Sequence, residues 1–387
     1  MDFDRVYDRR GTNCVKHDLI SFEGRPEDTL PLWVADMDFP APDCVGRAIE
    51  KLLDHGIYGY SFPGKDHRKA VQGWFERRFG WHTEPEWVVE TPGVVFALCT
   101  AVRAFTQPGD GVMMLTPVYN HFFEAAEDNG RRAICLDLVP RGNSFCIDFE
   151  ALERMMDEEK PTLFLLCSPH NPTGLVWTEE ELRKLGKLCF DRNILVVADE
   201  IHCDFTYPGH PHLPFLSLGE EFAQNAIACT APSKTFNLAG MQCSNIFIPN
   251  PVLRDKFRRE LTAQGAGGIN LFGRAACQAV YEEGDEWLDE LLVYLRGNYN
   301  ALVEFVAREL PVLRVKALEG TYLAWVDARG LGLSDEARSA LLRDKARVWL
   351  SDGATYGEAG RGFWRVNLAC PRSVLMEALE RLKNALQ

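Results

Sequence analysis

Residues 162–174 read TLFLLCSPHNPTG, an apolar run of strand length that ends abruptly in polar and turn-forming residues. Residues 194–202, ILVVADEIH, and residues 226–234, AIACTAPSK, repeat this pattern. Helix-like segments such as residues 179–193 separate the runs. Strands that alternate with helices predict an α/β fold, with a mostly parallel sheet covered by helices on both faces. Ligands of such sheets bind beyond the carboxyl ends of strands, so the three polar endings mark the candidate site.

The last third of the chain shows a different pattern. After about residue 270 a long helical tract is followed by the strand-like runs GTYLAWVDARG and GFWRVNLACP and by a helical end. This pattern predicts a second, smaller α+β unit. We expect a large domain over residues 46–285 and a small domain formed by residues 1–45 together with residues 286–387, because the N-terminal residues are too few to form a core alone.

The composition argues against several classes of partner. The 387 residues carry 42 basic and 56 acidic side chains, and the formal net charge of −14 repels nucleic acid and anionic lipid. The opening residues, MDFDRVYDRRGTN, lack the apolar core of a signal peptide, and the apolar runs are too short to span a bilayer. The twelve cysteines show no zinc-ligand spacing, so we expect buried thiols and no metal. A cytoplasmic enzyme acting on a small molecule is the simplest interpretation.

Lys234 and Asp199 are the two residues whose chemistry is most informative. Lys234 closely follows the apolar run AIACT, and a buried amine has a lowered pKa and becomes nucleophilic. Asp199 ends the run ILVVA. Pyridoxal 5′-phosphate (PLP) needs both groups, because an amine must condense with its aldehyde and a carboxylate must keep its pyridine nitrogen protonated. Taken alone, Lys234 also fits a surface lysine and Asp199 a solvated strand end; occurring together in this order, they make PLP the candidate cofactor.

Further residues near the predicted strand ends are candidates to hold the rest of this cofactor. Gly93, Val94 and Val95 form a turn that opens a helix, where unpaired N–H groups and the helix dipole favour a phosphate. Ser233 is a second candidate phosphate donor, and Tyr119 is a candidate to stack on the ring. These positions extend the predicted site over several strand ends.

Two more polar residues are candidates to contact the cofactor ring and the substrate. Asn171, in SPHNPTG, is a candidate to hydrogen-bond the phenolate oxygen of the ring. Arg365 lies in a strand-like run, where its planar fork can bind a substrate carboxylate through two hydrogen bonds. Together with Lys234 they predict an amino-acid substrate.

Several spaced motifs resemble those of one known family. The motifs SPHNPTG, VVADEIH, SKTFNLAG and RVNLACPR resemble the fold-type I class I/II aminotransferase superfamily. PLWVADMDFP, YGYS, TPGVV, NLFG and EGTYLAW are similar to its cystathionine β-lyase (C–S lyase) branch, the PatB/MalY-type enzymes. The resemblance spans almost the whole chain and implies the PLP-dependent transferase fold of type I.

The resemblance implies a role for each matching residue. Lys234 corresponds to the lysine that holds PLP as a Schiff base and acts as the base at Cα, and Asp199 to the partner of the pyridinium. Asn171 corresponds to the ligand of the ring oxygen O3′ and also lies on the substrate side. Arg365 corresponds to the clamp on the substrate carboxylate. Tyr60 resembles a tyrosine that reaches the phosphate in the partner subunit, which implies a homodimer with shared active sites.

The chain departs from the family pattern at five positions. Typical aminotransferases have an Arg eight residues after the lysine, whereas this chain has Gln242, as expected of the lyase branch. His202 replaces the Tyr that many relatives place against O3′, and we expect it to contact the cofactor differently. Asn120, His121 and His17 stand where relatives have other residues, and we expect them to alter the pocket around the leaving group.

The favoured function is α,β-elimination on L-cystathionine, a related cysteine thioether or L-cysteine, which yields a thiol, pyruvate and ammonia. Lys234 removes the Cα proton, and Tyr119 is a candidate proton donor to the leaving sulfur. An aminotransferase of an amino acid is the alternative, since both reactions share their first half. A regulatory protein built on the same fold is a third hypothesis, and the complete set of catalytic residues argues against regulation as the only role.

Overall fold

The computed structural model describes residues 1–266 and 268–387, and its strands and helices follow the apolar runs of the sequence closely. The strands are β1 (Leu30–Pro31), β2 (Val88–Thr91), β3 (Gly111–Thr116), β4 (Arg132–Asp137), β5 (Val139–Arg141), β6 (Ser144–Cys146), β7 (Leu163–Cys167), β8 (Leu195–Asp199), β9 (Ala226–Thr230), β10 (Ser244–Phe247), β11 (Arg314–Val315), β12 (Leu323–Asp327), β13 (Val348–Trp349), β14 (Ser351–Asp352) and β15 (Phe363–Asn367). The helices are α1 (Val15–Phe22), α2 (Asp43–His55), α3 (Lys65–Phe79), α4 (Val94–Phe105), α5 (His121–Glu127), α6 (Phe149–Glu159), α7 (Glu179–Asp191), α8 (Glu220–Ala223), α9 (Pro232–Thr235), α10 (Pro251–Ala263), α11 (Leu271–Glu283), α12 (Asp285–Glu309), α13 (Asp335–Ala340) and α14 (Arg372–Leu386).

The large sheet has seven strands in the order β2-β10-β9-β8-β7-β3-β4. The five strands from β9 to β4 are parallel, and β10 and β2 add an antiparallel edge. Successive residues of β7 belong alternately to two hydrophobic clusters, so both faces of this strand are buried. Burial on both faces explains why the central strands read as continuous apolar runs. The predicted α/β fold with a mostly parallel sheet is confirmed.

The smaller sheet has four antiparallel strands in the order β11-β12-β15-β14. The helices α12 and α14 pack against each other beside it, as the long helical tract and the helical end of the sequence predict. The N-terminal strand β1 pairs in parallel with β13, so the first forty residues pack with the C-terminal unit. The domain boundaries at residues 46–285, 1–45 and 286–387 stay a prediction.

The motif NLFG explains how a helix is brought against the loop that follows Lys234. The side chain of Asn270 caps α11 by accepting a hydrogen bond from the backbone N–H of Gly273 at 2.7 Å, and its amide donates to the carbonyl of Met241 at 2.8 Å. A Cβ atom at Gly273 would lie 2.3 Å from that same carbonyl. Glycine is therefore required where α11 approaches this loop closely.

A buried ionic cluster fixes the N-terminal segment. The Lys16 side chain is fully buried and its Nζ donates to Asp38 Oδ2 at 2.7 Å, while Asp36 Oδ1 lies 3.6 Å away. Arg9 contacts both carboxylates, at 2.6 Å to Asp36 and 2.7 Å to Asp38. Burial opposes the charge of Lys16, but the two carboxylates outweigh it and raise the pKa of Lys16 above its ordinary value. The cluster holds residues 33–38, which we call the WVADMD segment, in one position.

No helix within residues 1–266 and 268–387 combines the length with the apolar character that crossing a membrane requires. The same residues contain no group of three or more His, Cys, Asp or Glu side chains arranged to bind a metal ion.

Replacing Lys16 by Met should lower the free energy of unfolding by about 3 kcal/mol, because it removes the fully buried cation that pairs with the two carboxylates of the cluster. Urea unfolding with linear extrapolation measures this change. Lys51, which is exposed on α2, provides the control, and Lys51→Met should change the free energy by less than about 0.5 kcal/mol. Equal effects of the two substitutions would contradict a structural role for the cluster.

Candidate active site

The carboxyl ends of three neighbouring strands meet at one cavity. The strands β7, β8 and β9 are adjacent and parallel, and their register aligns Cys167 with Asp199 and Asp199 with Cys229. The polar residues that follow these strands therefore converge. They face a cavity of about 180 Å³, which we call the inner cavity. Its lining includes nine residues predicted from the sequence, namely Gly93, Val94, Val95, Tyr119, Asn171, Asp199, His202, Ser233 and Lys234.

Lys234 lies on the short helix α9, directly after β9, and its side chain projects into the inner cavity. Its Nζ atom donates a hydrogen bond to the carbonyl oxygen of Ala35 in the WVADMD segment at 2.7 Å. Burial, together with the positive charge of Arg365, lowers the pKa of Lys234 to about 8. A larger fraction of this amine is therefore neutral near physiological pH than of an ordinary lysine, so it is available as a nucleophile or base.

Asp199 ends β8 and presents a buried carboxylate to the same cavity. Burial raises its pKa to about 7, although the N–H of Ile201, 3.1 Å from Oδ1, and the charge of Lys234 act in the opposite direction. Within the described residues no Lys, Arg or His side chain lies within 4 Å of the carboxylate. A buried carboxylate without a cationic partner is an unfavourable arrangement that a bound cation would relieve.

The opening of α4 supplies donors to another part of the inner cavity. Gly93 is the N-cap residue of α4, and Val94 and Val95 are its first residues. The first N–H groups of a helix have no partner within the helix, and its N-terminus carries partial positive charge. Ser233 and Gln242 line the cavity as well. This combination of backbone and side-chain donors suits a phosphate.

Arg365 reaches the site from the middle of β15, where it pairs with Trp325 on one side and Ser351 on the other. The buried guanidinium donates from Nη1 to Asn171 Oδ1 at 3.1 Å and from Nη2 to the carbonyl of Trp33 at 2.7 Å. Its Nε atom is buried without a hydrogen-bond partner. All of these partners are neutral, so the charge of Arg365 remains available to a carboxylate.

Asn171 and His202 complete the polar lining. Because Asn171 Oδ1 accepts the bond from Arg365, the amide nitrogen of Asn171 remains as a donor. Burial lowers the pKa of His202 well below its usual value, so the imidazole is neutral, and its Nδ1 atom has no hydrogen-bond partner. The ring of His202 lies edge-on to Tyr322, with centroids 5.9 Å apart.

Tyr119 lines the inner cavity and a second, larger cavity of about 550 Å³, which we call the outer cavity. Asn120 and His121 line the outer cavity, and both side chains contact Glu124. His17 lies outside both cavities, with Nε2 3.5 Å from Asp38. Asn120 and His121 therefore line the outer cavity, whereas His17 contacts the WVADMD segment through Asp38, and its expected effect on the leaving-group pocket stays a prediction.

Tyr60 lies apart from the other predicted site residues. Its relative exposure is 112%, and it lines neither cavity of its own chain. The neighbouring residue Ser61 is anchored to this chain, since its hydroxyl accepts a hydrogen bond from Arg274 at 2.5 Å. Within one chain, therefore, Tyr60 is an exposed aromatic side chain next to an anchored backbone.

The reasoning from sequence missed the backbone of the WVADMD segment. The carbonyl of Ala35 accepts hydrogen bonds from Lys234 and from the hydroxyl of Tyr322, and the carbonyl of Trp33 accepts from Arg365. Asn367 holds this backbone by donating to the carbonyls on both sides of Ala35, at 2.6 Å each. The motif PLWVADMDFP was visible in the sequence, but backbone carbonyls carry no residue signature.

Comparison with known proteins agrees with this arrangement. The sequence matches the aminotransferase class I and II family over residues 27–382. It is 44% identical to cystathionine beta-lyase PatB of Bacillus subtilis (strain 168), covering 100% of both chains, and 33% identical to protein MalY of Escherichia coli (strain K12), covering 100% of this chain and 99% of MalY. The fold is similar to the crystal structure of cystalysin from Treponema denticola, which contains PLP, with a TM-score of 0.97, 37% identity and coverage of 100% and 98%. The chain belongs to the class I and II aminotransferase family.

Proposed function

We propose that the chain is a PLP-dependent carbon–sulfur β-lyase, which converts L-cystathionine or a related cysteine thioether, with one water molecule, to a thiol, pyruvate and ammonia. The observation that carries the proposal is the convergence of Lys234, Asp199 and Arg365 at connected cavities. The similarity to cystathionine beta-lyase PatB supports cleavage of a C–S bond. Gln242, in place of the Arg expected of an aminotransferase, lines the inner cavity and agrees with a lyase.

The residues of the inner cavity fit PLP. Asp199 is a buried carboxylate without a cationic partner and would face the pyridine nitrogen. Ser233 and the N–H groups of Val94 and Val95 would hold the phosphate. The free amide donor of Asn171 would face the ring oxygen, with His202 nearby, and Tyr119 would lie beside the ring. When bound, PLP supplies an electron sink that makes a bond at the substrate Cα easier to break.

Lys234 is the base in the proposed reaction. Its amine takes the Cα proton of the substrate, and the lowered pKa of about 8 leaves part of the amine neutral near physiological pH. In the absence of substrate, the same amine would hold PLP in the inner cavity. The carbonyl of Ala35, 2.7 Å from Nζ, restricts where the amine can lie.

Arg365 orients the substrate. Its guanidinium is fixed by the carbonyl of Trp33 and by Asn171, and it binds the substrate carboxylate so that the Cα–H bond faces Lys234.

Tyr119 is the proposed proton donor to the sulfur that leaves. Burial raises its pKa above the ordinary tyrosine value, so the phenol stays protonated. A thiol has a pKa of about 8.5, so a thiolate leaves readily and needs only modest assistance.

Tyr60 supports a homodimer in which each subunit completes the site of the other. Ile57, Tyr58, Tyr60 and Phe62 are all exposed, and together they form an apolar run on the surface. Such a run is typical of a surface that is covered by another chain. In the dimer Tyr60 reaches the phosphate of the partner subunit. All twelve cysteines are free thiols, which agrees with a reducing cytoplasm as the location.

The wild-type protein loaded with PLP should release thiol, pyruvate and ammonia from L-cystathionine without added keto acid. Lys234→Ala should lower kcat by about 1000-fold or more, because the base and the cofactor anchor are lost. Coupled pyruvate detection measures this rate, and the exposed Lys51→Ala provides the control, with unchanged kcat. Turnover of the wild type only when a keto acid is supplied would identify an aminotransferase instead.

Lys234 in cofactor-free protein should react with formaldehyde and cyanoborohydride with a half-maximal rate near pH 8. The amine is protonated and unreactive below its pKa, and an ordinary lysine, with a pKa of about 10.4, continues to gain reactivity well above that pH. Mass spectrometry of the peptide that contains Lys234 follows the reaction. Arg365→Gln should shift the midpoint upward, since the positive charge of Arg365 contributes to the lowering. A midpoint above pH 10 in the wild type would contradict the assignment.

Tyr60→Phe should raise the dissociation constant of PLP by about 10-fold, because it removes one hydrogen bond to the phosphate of the partner subunit. Equilibrium dialysis measures the affinity, and light scattering should show a dimer for both proteins. Tyr58→Phe, at a neighbouring exposed tyrosine, is the matched control and should leave the affinity unchanged. A wild-type monomer that binds PLP with undiminished affinity would contradict the shared site.

A further inference from the structure

The outer cavity is continuous with the inner cavity and is much larger. Ala35, Tyr119 and Lys234 line both cavities, and Arg365 lines the outer one. A substrate whose carboxylate is bound by Arg365 and whose Cα faces Lys234 therefore has room for its leaving group in the outer cavity. The charged residues of the outer lining would face that leaving group.

Arg25 presents an unused positive charge to the outer cavity. Its guanidinium lies over the ring of Trp349 at 4.0 Å, and Trp349 in turn stacks on Trp33, with centroids 4.2 Å apart and ring planes within 9°. Nε is buried without a hydrogen-bond partner, and no carboxylate of the described residues lies within 4 Å of the guanidinium. Burial and the charge of Arg343 lower its pKa. Arg25 is thus held in place by stacking and has no ion-pair partner, since Glu23 and Asp344 act on it only from beyond 4 Å and Asp344 is paired with Arg343.

Asp352 presents an unused negative charge to the same cavity. Its Oδ1 accepts from the N–H of Ala354 at 3.0 Å and its Oδ2 accepts from the hydroxyl of Ser339 at 3.1 Å, so the carboxylate is oriented by neutral donors. In residues 1–266 and 268–387 it has no Lys, Arg or His within 4 Å. The other charged or titratable side chains of this lining are Lys234, Arg365, His121, Tyr119 and Tyr356, and His121 contacts Glu124.

We propose that Arg25 and Asp352 recognise the far end of the leaving group, so that the enzyme selects cysteine thioethers whose leaving arm ends in an α-amino acid. Arg25 binds the carboxylate of the arm and Asp352 binds its ammonium group. One unpaired cation and one unpaired anion in a single cavity complement a zwitterion, and neither charge serves the reaction at Cα. This inference rests on the proposed β-lyase function.

Four substrates allow the contributions of Arg25 and Asp352 to be measured separately. L-cystathionine carries both charges on its leaving arm, S-(2-carboxyethyl)-L-cysteine carries only the carboxylate, S-(2-aminoethyl)-L-cysteine only the ammonium, and S-ethyl-L-cysteine neither. Arg25→Met keeps an unbranched stem over Trp349 and removes the fork. Asp352→Asn keeps an oxygen that can accept the hydrogen bond from Ala354. Pyruvate release gives kcat/KM for each enzyme with each substrate.

Arg25→Met should lower kcat/KM by about 10-fold for the two substrates with a distal carboxylate, and by less than about 2-fold for the other two. Asp352→Asn should lower kcat/KM by about 10-fold for the two substrates with a distal ammonium group, and by less than about 2-fold for the other two. A uniform loss over all four substrates, or no loss for any, would overturn the assignment while leaving the β-lyase function intact. A wild type that releases pyruvate from none of the four would overturn both.

Discussion

The hydrogen bond from Lys234 Nζ to the carbonyl of Ala35 joins two parts of the chain that are 199 residues apart in sequence. Lys234 follows a strand of the large sheet, whereas Ala35 belongs to a segment that packs on the smaller sheet. Asn367 and the buried Lys16 cluster fix that segment on its own side. The position of the reactive amine therefore depends on how the two sheets are joined, and neither sheet alone forms the site.

Buried charges in this molecule fall into two classes with different physical consequences. Lys16 and Asp38 are paired at 2.7 Å, and each is held in its charged form. Asp199 and Lys234 lack such pairing, and burial shifts both toward neutrality, to a pKa of about 7 and about 8. Within a buried pair each charge compensates the other, whereas an unpaired buried charge carries an uncompensated desolvation cost until a ligand supplies the partner. A buried charged group without a partner of opposite charge is therefore a better indicator of a functional site than a buried side chain in general.

The sequence predicts the sheet and the inner cavity for a topological reason. The central strands are buried on both faces and read as continuous apolar runs, and residues after parallel strands, such as Asn171 and Lys234, must meet at one edge. Contacts that a backbone atom makes, or that join segments far apart in the sequence, cannot be predicted in this way. The link between Arg365 and the carbonyl of Trp33 spans 332 residues and leaves no trace in either local sequence. The proposed contact of Tyr60 cannot be deduced from the topology of one chain, because it is made to a second chain. Only the resemblance to the family pointed to it.

The two cavities face different parts of the proposed substrate. The inner cavity holds Lys234 and Asp199, the groups proposed to act at Cα, which every amino acid substrate presents in the same way. The outer cavity meets the part of the substrate that differs between thioethers. Tyr119 and Lys234 line both cavities, so the proposed reaction places the bond to be broken at the junction of the two cavities. Changes in the outer lining at positions other than Tyr119, Lys234 and Arg365 can therefore alter which thioether is bound while the residues proposed to carry the reaction are kept.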